Sequence, residues 1–473
     1  MSKKYKLREV PPKKVFEKLK AYNEFTRSLL FVRGIETEEE AERFLSPNYD
    51  IHLHDPYLLK DMGKAVKRIL KAIEKKEKVA IFSDYDADGI PGAVVLHDFF
   101  QKIGFTNFIN YIPLRNEEGF GLNSDAITNL HSQGVALIVT IDCGITDVEQ
   151  VELANKYKID VIITDHHIAG KKLPKAFAII NPKQKGCEYP DKMLCGSGVI
   201  FKVIQALIQS KKFAEKYNWK DGQEKWLLDM VGLATLSDMV PLLGENRVFS
   251  YYGMKVLQKS PRAGLQKLFS LLRINQNTVT EDDIAFMITP RINAASRMGI
   301  PRDAFQLLST TDEVEAGALA EHLNKINDER KGVVGSMVRE IKKRIEDSDT
   351  DMKHVLVFGN PEWKPSLLGL VANSFSDEHN RPVFFWGREG SNGSAIIKGS
   401  CRAGGETDVF ALMEKTRDVF VDFGGHKGAG GFSVSQEKIH LLEEKLNVAF
   451  LELSKVSRGT LDTFVDKKLM LDD

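Results

Sequence analysis

Short runs of apolar, mostly β-branched residues alternate with helix-length amphipathic segments between residues 79 and 180. Each run is continuous rather than alternating, which is typical of parallel strands that are buried on both faces. Segments such as Gly89–Ile103 and Asp147–Lys158 have the spacing of helices that cover such a sheet. The pattern predicts a parallel α/β sheet with strands at Val79–Phe82, Phe108–Ile112, Ala136–Ile141, Val161–Thr164 and Phe177–Ile180.

The regions on either side of this sheet differ from it. Residues 12–76 and 197–345 have mainly the pattern of helices, and Glu313–Ile345 is long and charged enough to connect two domains. A second α/β unit is predicted beyond it, with strands at His354–Phe358, Val383–Trp386 and Ser394–Ser400 and a glycine-dense turn at Gly424–Gly431. A chain of 473 residues is also too long for one ordinary core, so more than one domain is expected.

The composition argues against several classes of protein. Lys+Arg and Asp+Glu both number 66, so the net charge is zero and any contact with a nucleic acid must come from a local groove. The four cysteines form no CxxC pair, which argues against a zinc knuckle or a disulfide framework. The chain has no apolar run of about eighteen residues and its charged start lacks the core of a signal peptide. These features predict a cytoplasmic protein without a membrane span.

Three acidic residues follow the first predicted strand directly. Asp84, Asp86 and Asp88 alternate along the segment that precedes Gly89, and the carboxyl ends of parallel strands are where open α/β sheets build their sites. One aspartate there would ordinarily cap the next helix, but three at alternating positions cannot all cap one helix. Clustered carboxylates repel one another unless a cation lies among them, so the segment indicates a magnesium or manganese site.

Further potential ligands follow later strands. Asp142 comes after the third strand, and Asp165, His166 and His167 come after the fourth, at the same predicted edge of the sheet. Asp238 stands in an otherwise apolar segment, where burial without a partner would be costly. Two ions roughly 3.5–4 Å apart would activate water and stabilise the leaving oxygen of a phosphate ester. No Walker loop or Ser-His-Asp arrangement competes for the role.

The order of these motifs resembles the DHH phosphoesterase family: DYDADG, then IDCG, then DHH, then the Asp238 segment. Other segments resemble the branch of that family that digests single-stranded DNA from its 5′ end. They cover most of the chain from about residue 30 to residue 435, and are PLRNEEGFGL, LCGSG, PLLGENR, PRINAA and GGHKGAGGFS.

The resemblance implies roles for the residues of the first sheet. One ion would be held by Asp86, the other by Asp88, His166 and Asp238, and both by Asp142. Asp84 and Asp165 would be supporting acids of the catalytic centre, although a direct ligand role for Asp84 stays open. His167 would contact the scissile phosphate. Manganese is the expected metal and magnesium the alternative.

The resemblance also implies a second, DHH-associated domain that contributes substrate contacts. Ser400 and Arg402 would hold a terminal phosphate together with Arg115 from the catalytic domain, since a guanidinium fork suits that anion. Glycine lets backbone amides approach a phosphate closely, which would suit the glycine-dense turn. The remaining expected substrate contacts are Arg291, Asn293, Gly425 and His426.

Together these expectations define a fold and its boundaries. The fold class is α/β, a parallel-sheet DHH catalytic domain joined by a helical connector to a smaller α/β DHH-associated domain. The expected boundaries are 1–78 for an N-terminal helical segment, 79–312 for the catalytic domain, 313–345 for the connector, 346–455 for the associated domain and 456–473 for a tail. The tail resembles the entry to an OB-fold for which the sequence leaves no room.

The expected activity is metal-dependent 5′-to-3′ digestion of single-stranded DNA to mononucleotides, in DNA repair or recombination. The expected partners are single-stranded DNA and a single-strand-binding protein or helicase, with no membrane. Two alternatives remain open. One is a DHH phosphodiesterase acting on oligonucleotides or cyclic dinucleotides, and the other is a nucleic-acid-binding scaffold without catalysis. Preference for DNA over RNA, the physiological metal and the oligomeric state do not follow from the residues.

Overall fold

A computed structural model of the chain describes residues 5–347, 353–388, 396–454 and 463–466. The chain divides into two compact units, of which the larger comprises residues 38–327 and the smaller residues 1–37 together with residues 328–473. The N-terminal part of the smaller unit contains strand β1 (Tyr5–Leu7) and helices α1 (Lys13–Lys18) and α2 (Glu24–Val32). The side chain of Asn23 caps α2 by accepting a hydrogen bond from the Thr26 amide at 2.8 Å.

The larger unit begins with helices and continues as alternating strands and helices. Its elements up to the last strand of its sheet are α3 (Glu38–Leu45), α4 (Met62–Glu74), β2 (Lys78–Ser83), α5 (Gly89–Lys102), β3 (Phe108–Tyr111), α6 (Ser124–Ser132), β4 (Val135–Ile141), α7 (Val148–Lys156), β5 (Asp160–Thr164) and β6 (Ala178–Ile180). The five strands are parallel and lie in the order β3-β2-β4-β5-β6. The α/β prediction and its five strands are confirmed.

Both faces of this sheet are buried, which explains the continuous apolar runs. Val79 and Ile81 of β2 belong to a core formed with α4, α5 and α8 (Gly196–Ile208), whereas Ala80 and Phe82 belong to a second core formed with α6 and α7. The strand order reverses between β2 and β4, because β3 lies on one side of β2 and β4 on the other. Open α/β sheets bind ligands outside the carboxyl edge at such a reversal.

The rest of the larger unit is helical, as predicted. Its helices are α9 (Lys211–Lys216), α10 (Leu228–Ser237), α11 (Gly244–Leu257), α12 (Ala263–Leu271), a π-helix (Asp283–Ile288), α13 (Thr289–Met298) and α14 (Pro301–Ser309). Helix α15 (Glu313–Glu346) follows and continues beyond residue 327 into the smaller unit. None of the described helices is both long and apolar enough to cross a bilayer.

The second sheet has five strands in the order β10-β11-β9-β8-β7, and only β7 and β8 are parallel. The described elements of the smaller unit after α15 are β7 (Leu356–Gly359), α16 (Pro365–His379), β8 (Val383–Gly387), β9 (Ile396–Arg402), α17 (Val409–Lys415), β10 (Phe420–His426), β11 (Ala429–Ser435), α18 (Leu442–Ser454) and β12 (Thr463–Val465). Strand β12 pairs with β1. The start of the predicted strand at Ser394 and most of the predicted tail, 456–473, lie outside the described residues.

The glycine-dense segment Gly424–Gly431 is not one turn, and the prediction was wrong there. Gly424, Gly425 and His426 end β10, while Ala429, Gly430 and Gly431 begin β11, so only Lys427 and Gly428 form the turn. Glycine is depleted in strands, which is why the sequence favours a turn. The domain boundaries given above stay predictions.

Candidate metal centre and nucleic-acid contacts

Three neighbouring strands end in register at the carboxyl edge of the first sheet. Ser83 is paired with Ile141, and Ile141 with Thr164. The aspartates that follow them continue the backbone ladder: the Asp84 amide donates to the Ile141 carbonyl at 3.0 Å, and the Asp142 amide to the Thr164 carbonyl at 2.9 Å. Because β2, β4 and β5 are adjacent, the three predicted acids Asp84, Asp142 and Asp165 start side by side.

The loop after β2 turns sharply into α5. One carboxylate oxygen of Asp86 accepts hydrogen bonds from the amides of Asp88 at 2.8 Å and Gly89 at 3.1 Å, so Asp86 holds the backbone at the start of α5 and leaves its second oxygen for another ligand. A side chain at Gly89 would place its Cβ only 2.6 Å from the Asp84 carbonyl oxygen. Glycine is therefore required for the loop to close over Asp84.

The N-terminus of α8 holds Asp88. Its carboxylate accepts hydrogen bonds from the amides of Gly196 at 2.6 Å and Ser197 at 2.8 Å, where the helix dipole favours an anion. A Cβ on Gly196 would lie 2.5 Å from the Cβ of Asp142, which itself has a positive φ of 61°. This contribution of α8 was not predicted from the sequence, although the glycine-rich segment Cys195–Gly198 at a helix start was a signal for it.

The predicted metal ligands come together around His166. Its Nε2 atom lies 3.1 Å from Asp142 Oδ1, 3.7 Å from Asp238 Oδ2 and 3.8 Å from Asp88 Oδ2. Asp238 reaches this position from the C-terminal end of α10. The cluster contains three sets of three residues, and within each set the potential ligand atoms all lie within 4.8 Å of one another. The sets are Asp84 with Asp86 and Asp142, Asp88 with His166 and Asp238, and Asp142 with His166 and His167. Asp142 therefore belongs both to the set with Asp86 and to a set with His166.

A bound cation would stabilise the ionised carboxylates of this cluster. Burial and the neighbouring carboxylates raise the pKa of Asp84 and of Asp142 well above the usual range, and raise that of Asp238 to about 8. Asp84 Oδ1 and His166 Nδ1 are buried without a hydrogen-bond partner among the described residues. Asp142 Oδ1 also lacks one, because its approach to His166 does not have hydrogen-bond geometry. Carboxylate oxygens and one imidazole fit manganese or magnesium.

His167 differs from His166 in its surroundings. The Asp165 carboxylate accepts hydrogen bonds from the His166 amide at 2.7 Å, the His167 amide at 3.0 Å and the His167 ring at 2.8 Å. Burial lowers the pKa of His166. Burial also disfavours the charged form of His167, but Asp165 outweighs this effect and raises its pKa to about 9. These shifts favour the neutral form of the His166 ring and the charged form of the His167 ring.

The predicted substrate contacts of the larger unit lie in different settings. The Arg115 guanidinium carbon lies 5.0 Å from the Tyr85 ring centre, and its charge counteracts part of the rise in the pKa of Asp84. The Asn293 side chain accepts a hydrogen bond from the Ala87 amide at 3.0 Å, so it supports the loop between β2 and α5. Arg291 is buried and donates to Asn324 at 2.9 Å and to the Met287 carbonyl at 2.6 Å. Their roles toward a substrate stay predictions.

Three of the four predicted contacts of the smaller unit, Ser400, Arg402 and His426, share one face of its sheet. Ser400 and Arg402 are two residues apart on β9, so their side chains point to the same face, and the Arg402 guanidinium donates to Ser400 Oγ at 3.1 Å. It also donates to the Asn373 side chain on α16 at 2.6 Å. His426 lies in line with Arg402, because both pair with Ala429 across β11. Gly425 pairs with Gly430 in the adjacent row.

Comparison with known proteins gives the same two-part division. Residues 78–235 match the DHH family, N-terminal domain, and residues 352–452 match the DHHA1 domain. The chain is 36% identical over 420 residues to a single-stranded-DNA-specific exonuclease RecJ of Bacillus subtilis, covering 89% of this chain and 51% of that protein. It is 30% identical to RecJ of Escherichia coli, covering 92% of this chain and 77% of that protein.

A solved structure described as exonuclease RecJ bound to manganese superposes with a TM-score of 0.69 and 28% identity, covering 82% of this chain and 94% of that one. The fold and the two matched domains define the class of DHH/DHHA1 phosphoesterases. Within that class the chain belongs to the RecJ family. It spans about half the length of the Bacillus subtilis relative.

Proposed function

We propose that this chain is a metal-dependent exonuclease that digests single-stranded DNA from its 5′ end and releases mononucleotides. The observation that carries the proposal is the group of three ligand sets at the sheet reversal, of which two contain Asp142 and two contain His166. A relative that covers most of this chain is named as a single-stranded-DNA-specific exonuclease, and a related structure holds manganese. The sharing of one carboxylate between two sets suits a two-ion centre.

Each side chain of the centre has a task in phosphodiester hydrolysis. Asp86 and Asp142 would hold one cation, with Asp84 as a further ligand because its carboxylate belongs to the same set. Asp88, His166 and Asp238 would hold the second cation together with Asp142. When bound, the two cations supply the activation of water and the neutralisation of charge on the phosphate.

The protonated His167 complements this centre. Asp165 fixes its ring at 2.8 Å and keeps it charged, so the imidazolium can donate a hydrogen bond to a phosphate oxygen or a proton to the leaving oxygen. In the smaller unit Ser400 and Arg402 offer donors on one sheet face for the terminal phosphate of a strand. Recognition of that terminus supports removal of nucleotides from the end.

Location and partners follow from this activity as further parts of the proposal. We expect the protein to work in the cytoplasm on single strands produced in DNA repair or recombination. A single-strand-binding protein or a helicase would supply those strands. Manganese is the metal favoured by the mixed carboxylate and imidazole ligands, and magnesium is the alternative.

A length series of substrates tests the proposal against the small-substrate alternative. In manganese we expect single strands of about thirty nucleotides to be cleaved at a higher rate than dinucleotides at the same concentration of protein. The reason is that the protein holds more of a long strand. Rates at saturating and at low substrate concentration would be measured for two to about thirty nucleotides. A preference for two to about five nucleotides would mean that the protein is an oligonucleotide phosphodiesterase. Absence of all cleavage would favour the non-catalytic scaffold.

A further inference from the structure

One exposed face of helix α4 is rich in lysine, with the exposed Glu74 on the same side. Lys60 precedes the helix, and Lys64, Lys67, Lys71 and Lys75 follow at intervals of three or four residues, so the side chains of these last four lie along one face. All five are exposed. We call them the lysine stripe. The opposite face of α4 is buried in the core of the larger unit, and successive stripe residues within the helix are separated along its axis by about 4.5–6 Å.

The stripe is neutralised only in part by acids of its own segment, which are Asp61 and the exposed Glu74. Lys64 lies 2.8 Å from Asp61, but no carboxylate lies within ion-pair distance of Lys67, Lys71 or Lys75 among the residues that the structure describes. Like charges four residues apart destabilise a helix by roughly 0.2–0.5 kcal/mol per pair, whereas Glu–Lys pairs would stabilise it. The whole chain has no net charge, so this concentration of lysines is a local departure from its composition.

The stripe begins at the edge of the sheet where the ligand sets lie. Lys60 Nζ donates to the Lys185 carbonyl at 2.9 Å. The segment that contains Lys185 starts at Asn181, whose side chain donates to the His167 carbonyl at 2.9 Å and accepts from the Lys183 amide at 2.8 Å. Lys183 is close enough to His166 to contribute to its lowered pKa. Lys183 and Lys185 therefore extend positive charge from the metal centre to the stripe.

The far end of the stripe lies at the opposite edge of the sheet. The carbonyl of Lys76, next to Lys75, accepts a hydrogen bond at 2.8 Å from Asn107, the residue that precedes β3. The 13 residues of α4 therefore span the depth of the sheet, about 20 Å. A row of lysines at regular intervals that leads away from a phosphodiesterase centre matches a row of phosphates.

We propose that the lysine stripe binds the phosphate backbone of the single strand whose 5′ end occupies the metal centre. This inference rests on the proposed function and adds a path for the part of the substrate that is not being cleaved. Lysine is a flexible point charge that contacts phosphates without reading bases, so the contact is independent of sequence. It would hold the strand between successive cleavages.

The test replaces four stripe residues by glutamine: Lys64→Gln, Lys67→Gln, Lys71→Gln and Lys75→Gln. Lys60 is kept because it donates to the Lys185 carbonyl. Binding of a strand of about thirty nucleotides would be measured over a range of salt concentrations, in an Asp142→Asn background that prevents digestion. We expect the dissociation constant to rise about tenfold or more, and the slope of log K against log salt to fall in magnitude by up to about 3.

Two matched sets of variants serve as controls. Lys216→Gln, Lys220→Gln, Lys255→Gln and Lys259→Gln remove the same charge from exposed lysines of the larger unit that lie outside the stripe, and should change binding less than about twofold. Replacement of the four stripe residues by arginine keeps the charge and should keep the affinity. In otherwise wild-type protein the ratio of long-strand to dinucleotide cleavage should fall about tenfold for the stripe glutamine variant only.

The results separate this inference from the proposed function. Equal weakening by both glutamine sets, or no weakening by either, would overturn the stripe as a binding surface while leaving the exonuclease proposal intact. Failure of the parental protein to bind or digest any long strand would overturn both. Unfolding of the glutamine variant would be recognised by its thermal transition, and the arginine variant would then be compared with a Lys67→Gln, Lys71→Gln pair. Parental affinity in that pair would count against the stripe.

Discussion

Replacement of Asp142 by asparagine is expected to lower the rate of single-strand digestion roughly 1,000-fold or more, because stabilisation by the metal ions is worth several kcal/mol. Asp142 belongs to two of the three ligand sets, and its Oδ1 atom lies 3.1 Å from His166 Nε2. Asparagine keeps the shape of the side chain but cannot neutralise two cations. The rate would be measured in saturating manganese so that weakened affinity alone does not explain the loss.

The same variant should be more stable than the wild type when metal is absent. Burial and neighbouring carboxylates raise the pKa of Asp142 in the folded chain, so its ionised form opposes folding at neutral pH. Asparagine removes that charge, and we expect the unfolding temperature in a chelator to rise by a few degrees. Asp125→Asn, an exposed acid on α6, should change neither property. Digestion by Asp142→Asn within roughly tenfold of wild type would contradict the ligand assignment.

Replacement of Lys202 by methionine is expected to destabilise the protein by about 3–5 kcal/mol. Lys202 is fully buried in α8 and its Nζ lies 3.0 Å from Glu245 Oε1 and 2.7 Å from the His54 carbonyl. Glu245 is also fully buried, and it accepts further hydrogen bonds from the His54 amide at 2.8 Å and from the Tyr189 hydroxyl. Methionine would leave the Glu245 charge without its cation in the core.

The unfolding temperature of the Lys202→Met variant should be about 10 °C lower than that of the wild type. A second change, Glu245→Gln, removes the stranded charge and should restore much of the loss, which a double-mutant cycle would measure. Lys267→Met breaks an exposed pair with Glu313 and should cost less than about 1 kcal/mol. If Lys202→Met cost no more than Lys267→Met, the buried pair would not stabilise the unit. Because α8 also holds Asp88, weaker metal binding should accompany the instability.

Much of the first sheet could be predicted because its strands are buried on both faces and so have continuous apolar runs. The residues that follow these runs could then be placed together without knowledge of side-chain positions, since parallel strands end at one edge. Asp84, Asp142 and Asp165 lie side by side for this reason. The second sheet was harder, because glycines at 424, 425, 430 and 431 form strands that glycine does not favour.

Contacts between distant segments were not predictable in the same way. The hydrogen bond from the Gly196 amide of α8 to Asp88 joins residues that are 108 positions apart in the sequence. The pairing of β1 with β12 joins strands of only three residues. Neither has a periodic signal. Arg291 illustrates the limit for single residues: the sequence gives a cation in a motif, whereas the structure shows it buried and bonded to Asn324. The packing of the surrounding residues determines whether such an arginine is exposed or buried.

Directional digestion is tested most directly with a single strand of about thirty nucleotides labelled at its 3′ end. In manganese we expect a descending ladder of labelled fragments, faster with a 5′ phosphate than with a 5′ hydroxyl, and no digestion in a chelator. Arg402→Ala should remove most of the preference for the phosphate, since it deletes the guanidinium beside Ser400. Immediate release of the labelled terminal nucleotide without a ladder would contradict digestion from the 5′ end, and digestion that does not depend on manganese would contradict the metal centre.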